Sequence, residues 1–193
     1  FDIVLLDSHG KVLVRLNDEI KTDKTDLSFV NKVLNSDEDY IETFGFHDFI
    51  PQDKKSLVYS SKVTKTNIQN SDTLGVLCLC FKFTDEMNGI FNNLFVKKNK
   101  ECITILDEDG TVIASSDKDH IKLGAKLPII LNEEFKLISF AGRDYIAKTC
   151  ETNGYQGFNG LKWYGHIMLP LEYALLSNEL NTSGSTPSTS DGS

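Results

Sequence analysis

Ten residues recur in this chain with almost the same chemistry, 100 positions apart. Leu5-Leu6-Asp7-Ser8-His9-Gly10-Lys11-Val12-Leu13-Val14 aligns without a gap on Ile105-Leu106-Asp107-Glu108-Asp109-Gly110-Thr111-Val112-Ile113-Ala114. Each copy places Asp and Gly at the same spacing between two apolar runs. The Asp side chain hydrogen-bonds backbone two residues on and starts a tight turn. The Gly supplies the positive φ that closes a short hairpin with a bulge. Gly10 and Gly110 are therefore both expected at positive φ. Two such hairpins at the heads of two similar segments predict a duplicated module.

The later parts of the segments correspond as well. Leu74-Gly75-Val76-Leu77-Cys78-Leu79-Cys80-Phe81 is a β-rich run that leads into Asp85-Glu86-Met87 and a helical pattern. Tyr164-Gly165-His166-Ile167-Met168-Leu169-Pro170-Leu171 is a similar run that leads into Glu172-Tyr173-Ala174-Leu175-Leu176. The length of 193 residues fits two modules of about 90 residues each. Hydrophobic content of 40% is enough for two cores, and no apolar run reaches the roughly 18 residues of a membrane helix. A net charge of −8 argues against nucleic acid and against an anionic membrane surface.

The periodicity predicts strands near 2–7 and 10–16. A short helix follows, N-capped by Asp26 and carrying Leu27, Phe29, Val30, Val33 and Leu34. Tyr40 to Phe46 reads as a strand with Tyr40, Glu42, Phe44 and Phe46 on one face. Ser56 to Thr64 reads as another, with Leu57, Tyr59, Ser61 and Val63 on one face, and Thr73 to Phe83 closes the module. Met87 to Phe95 lie on an amphipathic helix. In the second module strands are expected near 102–107 and 111–116. Ile121 to Leu131 reads as irregular, broken by Gly124 and Pro128. A hairpin turns over Gly142-Arg143, and a closing strand starts at Trp163. A helix is expected from Leu171, started by Pro170 and acting as the output element. The expected boundaries are a first lobe at 1–84, a connecting helix at 85–99, a second lobe at 100–180 and a disordered tail at 181–193. The fold class is α+β: two PAS-like lobes, each an antiparallel sheet of about five strands with helices on one face.

Two runs resemble the Cache-type sensor domains of bacterial methyl-accepting chemotaxis receptors. One is Gly154-Tyr155-Gln156-Gly157-Phe158 through Trp163-Tyr164-Gly165-His166-Ile167-Met168-Leu169-Pro170-Leu171-Glu172. The other is Leu106-Asp107-Glu108-Asp109-Gly110-Thr111-Val112-Ile113-Ala114-Ser115-Ser116, with Leu123-Gly124 after it. The resemblance covers 102–176; over 1–100 only the hairpin and the strand plan carry it. It implies a double Cache region outside the cytoplasm, in a receptor of the cell membrane that signals as a homodimer. The long N-terminal helix usual ahead of the first lobe in that family is not within this sequence; the expectation is that it was cut away or that this subfamily is arranged differently. The chain is expected to be a piece of a longer protein, with membrane attachment only through segments outside it. The Arg-x-Trp-aromatic motif of the family's amino-acid-binding members has no match in residues 1–100, so no amino-acid ligand is predicted.

Catalytic signatures are thin. There is no phosphate loop with Lys and no Gly-x-Ser-x-Gly elbow. The four cysteines, 78, 80, 102 and 150, read as buried small hydrophobes, with a redox pair or a disulfide to Cys102 or Cys150 as the alternative. His47-Asp48 lacks a third metal ligand. His166 reads as core or pocket, His9 and His120 as solvated, and Arg143 with Asp144 as a surface pair. The expected ligand contacts are Tyr40, Phe46, His47 and Tyr59 in lobe one, and Tyr145, Trp163 and Tyr164 in lobe two. Aromatic rings with polar tips between sheet and covering segments suit a small-molecule pocket. The expectation is a non-enzymatic small-molecule sensor with no cofactor, no metal and no nucleic-acid partner. The alternatives are a cytoplasmic tandem PAS module and, from another class, an enzyme using Cys78 or Cys80 as nucleophile.

Overall fold

A computed structural model describes residues 1–17, 22–50, 55–66, 72–94, 100–131, 134–153 and 160–175. In chain order the elements are β1 (Asp2–Asp7), β2 (Val12–Arg15), α1 (Leu27–Leu34), β3 (Ile41–Gly45), β4 (Ser56–Thr64), β5 (Thr73–Phe81), α2 (Phe83–Leu94), β6 (Cys102–Leu106), β7 (Val112–Ser115), β8 (Lys136–Phe140), β9 (Arg143–Glu151) and β10 (Tyr164–Pro170). They form two five-stranded antiparallel sheets with the orders β2-β1-β5-β4-β3 and β7-β6-β10-β9-β8. The order is the same in both, so the duplication read from the hairpins extends over the whole module. The chain divides into compact units Phe1–Ile90 and Phe91–Ser193.

The two hairpins are built as their sequences require. Asp7 Oδ1 accepts from the backbone N–H of His9 at 2.8 Å and of Lys11 at 2.9 Å. Asp107 Oδ1 accepts from Asp109 at 3.0 Å and from Thr111 at 2.8 Å. Gly10 has φ 78° and Gly110 φ 75°. Packing is a second reason for glycine. A Cβ on Gly10 would lie 2.8 Å from the Thr25 carbonyl oxygen, and one on Gly110 2.4 Å from that of Leu127. In each lobe the returning chain crosses the turn closely enough to bond it, Thr25 N–H to Gly10 O at 2.8 Å and Leu127 N–H to Gly110 O at 2.9 Å.

The middles differ. In lobe one, Asp26 caps α1 by accepting from Ser28 N–H at 3.0 Å, and Val30 and Val33 press into the core. In lobe two, no α-helix lies between β7 and β8 among the described residues, so the expectation of covering helices holds for lobe one only. Ile121, Leu127, Ile129 and Ile130 cover that sheet from irregular chain, stitched by Thr149 N–H to Ile130 O at 3.1 Å. Gly124 and Pro128 in this stretch block a helix. The β8–β9 turn is Ala141-Gly142, with φ 50° and 78°, one residue earlier than the sequence suggested. Positive φ at both central residues marks a type I′ turn, whose twist matches the strands.

The face assignments follow from register. In lobe one Val4 pairs Cys78, Val58 pairs Cys80 and Thr43 pairs Val58. One face therefore carries Val4, Leu6, Val58, Val76, Cys78 and Cys80, packed under α1 as the core. Ser56 and Ser60 are buried on this same inner face. Leu57, Tyr59, Leu77, Leu79 and Phe81 stand on the opposite face. β5 is thus apolar on both sides, whereas β4 puts Val58 between the buried Ser56 and Ser60 on its inner face. Residues 171–175 begin the helix expected after Pro170. The rest of that helix, the tail at 181–193, residues 95–99 of the connecting helix and Gly154 to Asn159 of the glycine loop lie outside the described residues.

Candidate functional site

The inner face of lobe one brings together one polar ring and three supports. His47 follows β3 and turns back over it. Its Nε2 lies 2.8 Å from Thr43 Oγ1. Its Nδ1 is buried without a well-aligned hydrogen bond, and the Gly45 backbone makes a contact to the ring that favours its charged form. Phe29 of α1 meets the imidazole edge-on at 5.6 Å, Phe49 lies 5.5 Å away, and the two phenylalanines are 5.3 Å apart, so the three rings pack as one triangle. Burial holds the His47 pKa below the usual imidazole value. Gly45 pairs with the inward-facing Ser56, and a Cβ there would meet nothing within 4 Å. The imidazole thus combines an Nε2 fixed by Thr43 with two apolar neighbours, the mixture of groups that small-molecule sites use.

A buried ion pair holds this segment. Asp2 in β1 and Arg15 in β2 face inward, 3.1 Å apart, with side chains 8% and 6% exposed. Arg15 Nη2 also donates to the carbonyl of Phe49. Asp2 Oδ1 accepts from Asn17 N–H at 3.0 Å. The hairpin edge of the sheet is thereby tied across to the loop that carries His47 and Phe49. No pattern in the sequence linked residue 15 to residue 49; the contact exists only once the sheet is assembled.

The other expected contacts in lobe one are placed differently. Tyr40 and Tyr59 come together, rings 5.6 Å apart, with Phe81 edge-on to Tyr59 at 5.6 Å. Tyr59 pairs with Glu42, so this cluster is on the face opposite His47. Glu42 is hydrogen-bonded to Tyr40, and burial raises its carboxyl pKa. Phe46 is 62% exposed and joins neither group. Phe49, unremarked in the sequence, takes the wall position instead.

In lobe two, Tyr145 is buried in the core and Tyr164 packs against it from the same face. They pair with opposite ends of the last hairpin, Tyr145 with Pro170 and Tyr164 with Glu151. Six residues of strand, about 20 Å, separate them, so they do not form one site. Trp163 precedes β10 and its carbonyl accepts from Thr152 N–H at 3.0 Å. His166 is 1% exposed and resolves as core. Its Nδ1 lies 2.7 Å from Thr149 Oγ1, which also accepts from Ile130 N–H at 2.9 Å. Its Nε2 is buried without a partner, and burial lowers its pKa to about 4.

Arg143 does not pair with Asp144. It donates to Glu172, at the start of the terminal helix, and stacks over Tyr145 at 5.7 Å and Tyr173 at 5.8 Å. All four cysteines are free, and Cys150 is exposed rather than buried. Burial pushes the Cys78 thiol up to about 11 and raises Cys80 further. A nucleophilic cysteine needs the opposite shift. Among the described residues no cluster of His, Cys, Asp and Glu could hold a metal ion, and no helix is long and apolar enough to cross a membrane.

No protein-family model matches the chain, and no curated protein matches it. Solved structures do. The ligand-binding domain of the Pseudomonas fluorescens chemoreceptor CtaA, in complex with L-serine, superposes with TM-score 0.60 at 14% identity, over 89% of this chain and 73% of that one. The ligand-binding domain of the Pseudomonas aeruginosa PAO1 amino-acid chemoreceptor PctB, in complex with L-Arg, gives 0.61 at 16% identity, over 90% and 72%. The sensor domain of the Vibrio cholerae histidine kinase DctB gives 0.53 at 12% identity, over 88% and 71%. The two-lobed fold expected from the Cache resemblance is the fold these sensor domains share.

Proposed function

We propose that this chain is the small-molecule-sensing region of a bacterial transmembrane chemoreceptor, lying outside the cytoplasm. The observation that carries the reading is the fold, shared over nearly the whole chain with chemoreceptor ligand-binding domains. The site in lobe one supports it independently. A half-buried imidazole packed with Phe29 and Phe49, its Nδ1 lacking a well-aligned hydrogen bond, is a polar group that a ligand can satisfy. The role is read as binding: burial raises the Cys78 thiol, against a nucleophilic use, and lowers the His47 pKa.

Of the seven expected contacts, His47 is assigned to this site. Tyr40 and Tyr59 form a separate half-buried surface, and Tyr145 and Tyr164 belong to the second core. Signalling is read as a shift between two arrangements that ligand biases. In the full-length receptor, acting as a homodimer, the helix from Leu171 carries that shift toward the membrane. Its first turn is joined to lobe two through Glu172 and Arg143. A thermal-shift screen of small metabolites tests the reading. Ligand at 100 times its Kd adds about 2.7 kcal/mol and raises the melting temperature. A screen across acids, amines, amino acids and sugars with no stabilising compound would count against a sensing role.

A further inference from the structure

Resting on the homodimer reading above, we propose that β8 is the strand through which two copies of this chain pair edge to edge, antiparallel and centred on Ile138.

The first observation is an open edge. Each sheet has two end strands. The hairpin ends are closed by the returning chain: Val12 N–H donates to Asp23 O at 2.9 Å beside β2, and Val112 N–H donates to Ala125 O at 2.8 Å beside β7. β8 has β9 on one side, and among the described residues no strand pairs with its other side. The type I′ turn at Ala141-Gly142 makes Phe140 and Arg143 a hydrogen-bonded pair. By alternation, the N–H and C=O groups of Leu137 and Ser139 point away from β9. A row of that kind is a template for another strand.

The second is what stands beside the row. Leu137 is 63% exposed, and Phe135, just ahead of the strand, is 58% exposed. Natural edges are guarded by proline, bulges or charge. β8 has no proline, keeps an unbroken register with β9, and carries its one charge, Lys136, at its first position. The remaining end strand, β3, is a poorer template, since it carries Glu42 and ends in Gly45.

The third is self-complementarity, which selects a second copy over another partner. A two-fold axis at Ile138 sets that residue against itself. Leu137 then lies opposite Ser139 of the second copy, and their outward groups exchange backbone hydrogen bonds. Lys136 faces the Phe140 ring of the other copy, and the two lysines stand at opposite ends of the pair. Ile138 and Phe140 are only partly buried at the margin of the second core, so pairing extends that core. Charge permits the approach. The chain as a whole carries −8, but around this hairpin Lys136, Arg143 and Lys148 offset Glu134, Asp144 and Glu172. A strand of 5 residues is about 17 Å long and covers less than the roughly 800 Å² per partner of a standard interface. The isolated chain should therefore pair weakly, and chains held side by side in a membrane more fully.

The test uses the whole chain without ligand, so its failure leaves the sensing role standing. Sedimentation equilibrium from micromolar to millimolar concentration should show a shift from monomer toward dimer. Over the same range amide exchange should slow about tenfold at Leu137 and Ser139. Ile138 and Phe140, whose amides already face β9, should not change. In a Cys150→Ser background, Ile138→Cys should form a disulfide between copies on mild oxidation. Ser139→Cys alone should not, but should be trapped when mixed with Leu137→Cys. Leu137→Pro removes an outward N–H and spares the bonds to β9. It should abolish the dimer while the Trp163 fluorescence transition of the folded monomer persists. A chain that stays monomeric at millimolar concentration and traps neither disulfide overturns the proposal. Association that leaves the Leu137 and Ser139 amides unprotected, or that survives Leu137→Pro, puts the interface elsewhere and overturns it. Protection of those amides in a monomer at every concentration shows that the chain covers its own edge, and overturns it as well.

Discussion

Positions 2 and 15 of lobe one stand where 102 and 115 stand in lobe two, in the same register beside the same hairpin. In the first lobe they are Asp and Arg, a buried ion pair 3.1 Å apart whose guanidinium reaches the Phe49 carbonyl. In the second they are Cys and Ser, 3.9 Å apart and neutral, with Ser116 adding a weak contact to the sulfur at 3.6 Å. The scaffold is equivalent and the investment is not. A buried ion pair rarely stabilises more than well-packed apolar groups would. Its value in lobe one is position: it pins the loop that presents His47. Among the described residues lobe two shows no such tether, and its own buried histidine is packed away at 1% exposure. On the proposed function, the tether marks lobe one as the lobe that meets a ligand, although both lobes have a core.

The largest expected effect tests that asymmetry. Arg15→Ala leaves Asp2 buried and unpaired and should cost about 3–5 kcal/mol. The double replacement Asp2→Leu with Arg15→Met should recover most of the loss while still freeing the Phe49 loop. Amide hydrogen exchange reads lobe one, and Trp163, the chain's single tryptophan, reads lobe two by fluorescence. The Trp163 transition should not move. A shift of both lobes together would show that they unfold as one unit and would break the comparison.

Acid should reverse the order of damage. The folded pKa of His166 is about 4, against an ordinary value of 6.5. Between those values the unfolded chain binds more protons than the folded one, so stability is complete above about 6.5 and falls as pH drops toward 4. The loss is on the order of 3 kcal/mol. It should appear in the Trp163 transition measured from pH 7 to pH 4. His47, lowered in the same direction by burial, adds a loss in lobe one within the same range. A Trp163 midpoint that stays flat across the window would mean that His166 finds a partner for its second nitrogen.

The glycines sharpen the equivalence of the hairpins. Gly10→Ala and Gly110→Ala should each cost about 2 kcal/mol from positive φ alone. Gly110→Ala should cost more, since its Cβ would approach a carbonyl to 2.4 Å rather than 2.8 Å. Urea midpoints of the two variants check the ranking. The smallest effect belongs to the half-exposed Arg143–Glu172 pair. Glu172→Ala should lower stability only slightly and lose its effect in high salt. Faster exchange of the amides at 171–175 is the expected local sign.

These comparisons also show what the sequence could and could not disclose. The Asp-x-x-Gly hairpins were legible because the turn is local: Asp7 and Gly10 determine it between them. The Asp26 cap and the apolar spacing of α1 were legible for the same reason. Strand alternation was read correctly along β3 and β4. Which face would be covered was not legible, because that parity is decided by pairing with β5, itself apolar on both sides. Large residues such as Leu57 and Tyr59 therefore suggested a pocket face, yet Ser56, Val58 and Ser60 are the ones buried. Tyr40 and Tyr59 consequently part from His47. Thr43, Phe49 and Arg15 were missed because their roles arise from contacts across 4, 2 and 34 positions. The first two were within local reach, but nothing in their residue types marks them.

The most direct test of a ligand site in lobe one is residue-resolved hydrogen exchange with and without the screened compound that gives the largest thermal shift. The account predicts added protection at 27–34 and 41–50, with no change in the strand amides of 136–140 and 143–151. Protection confined to lobe two, or spread evenly over both lobes, would contradict it.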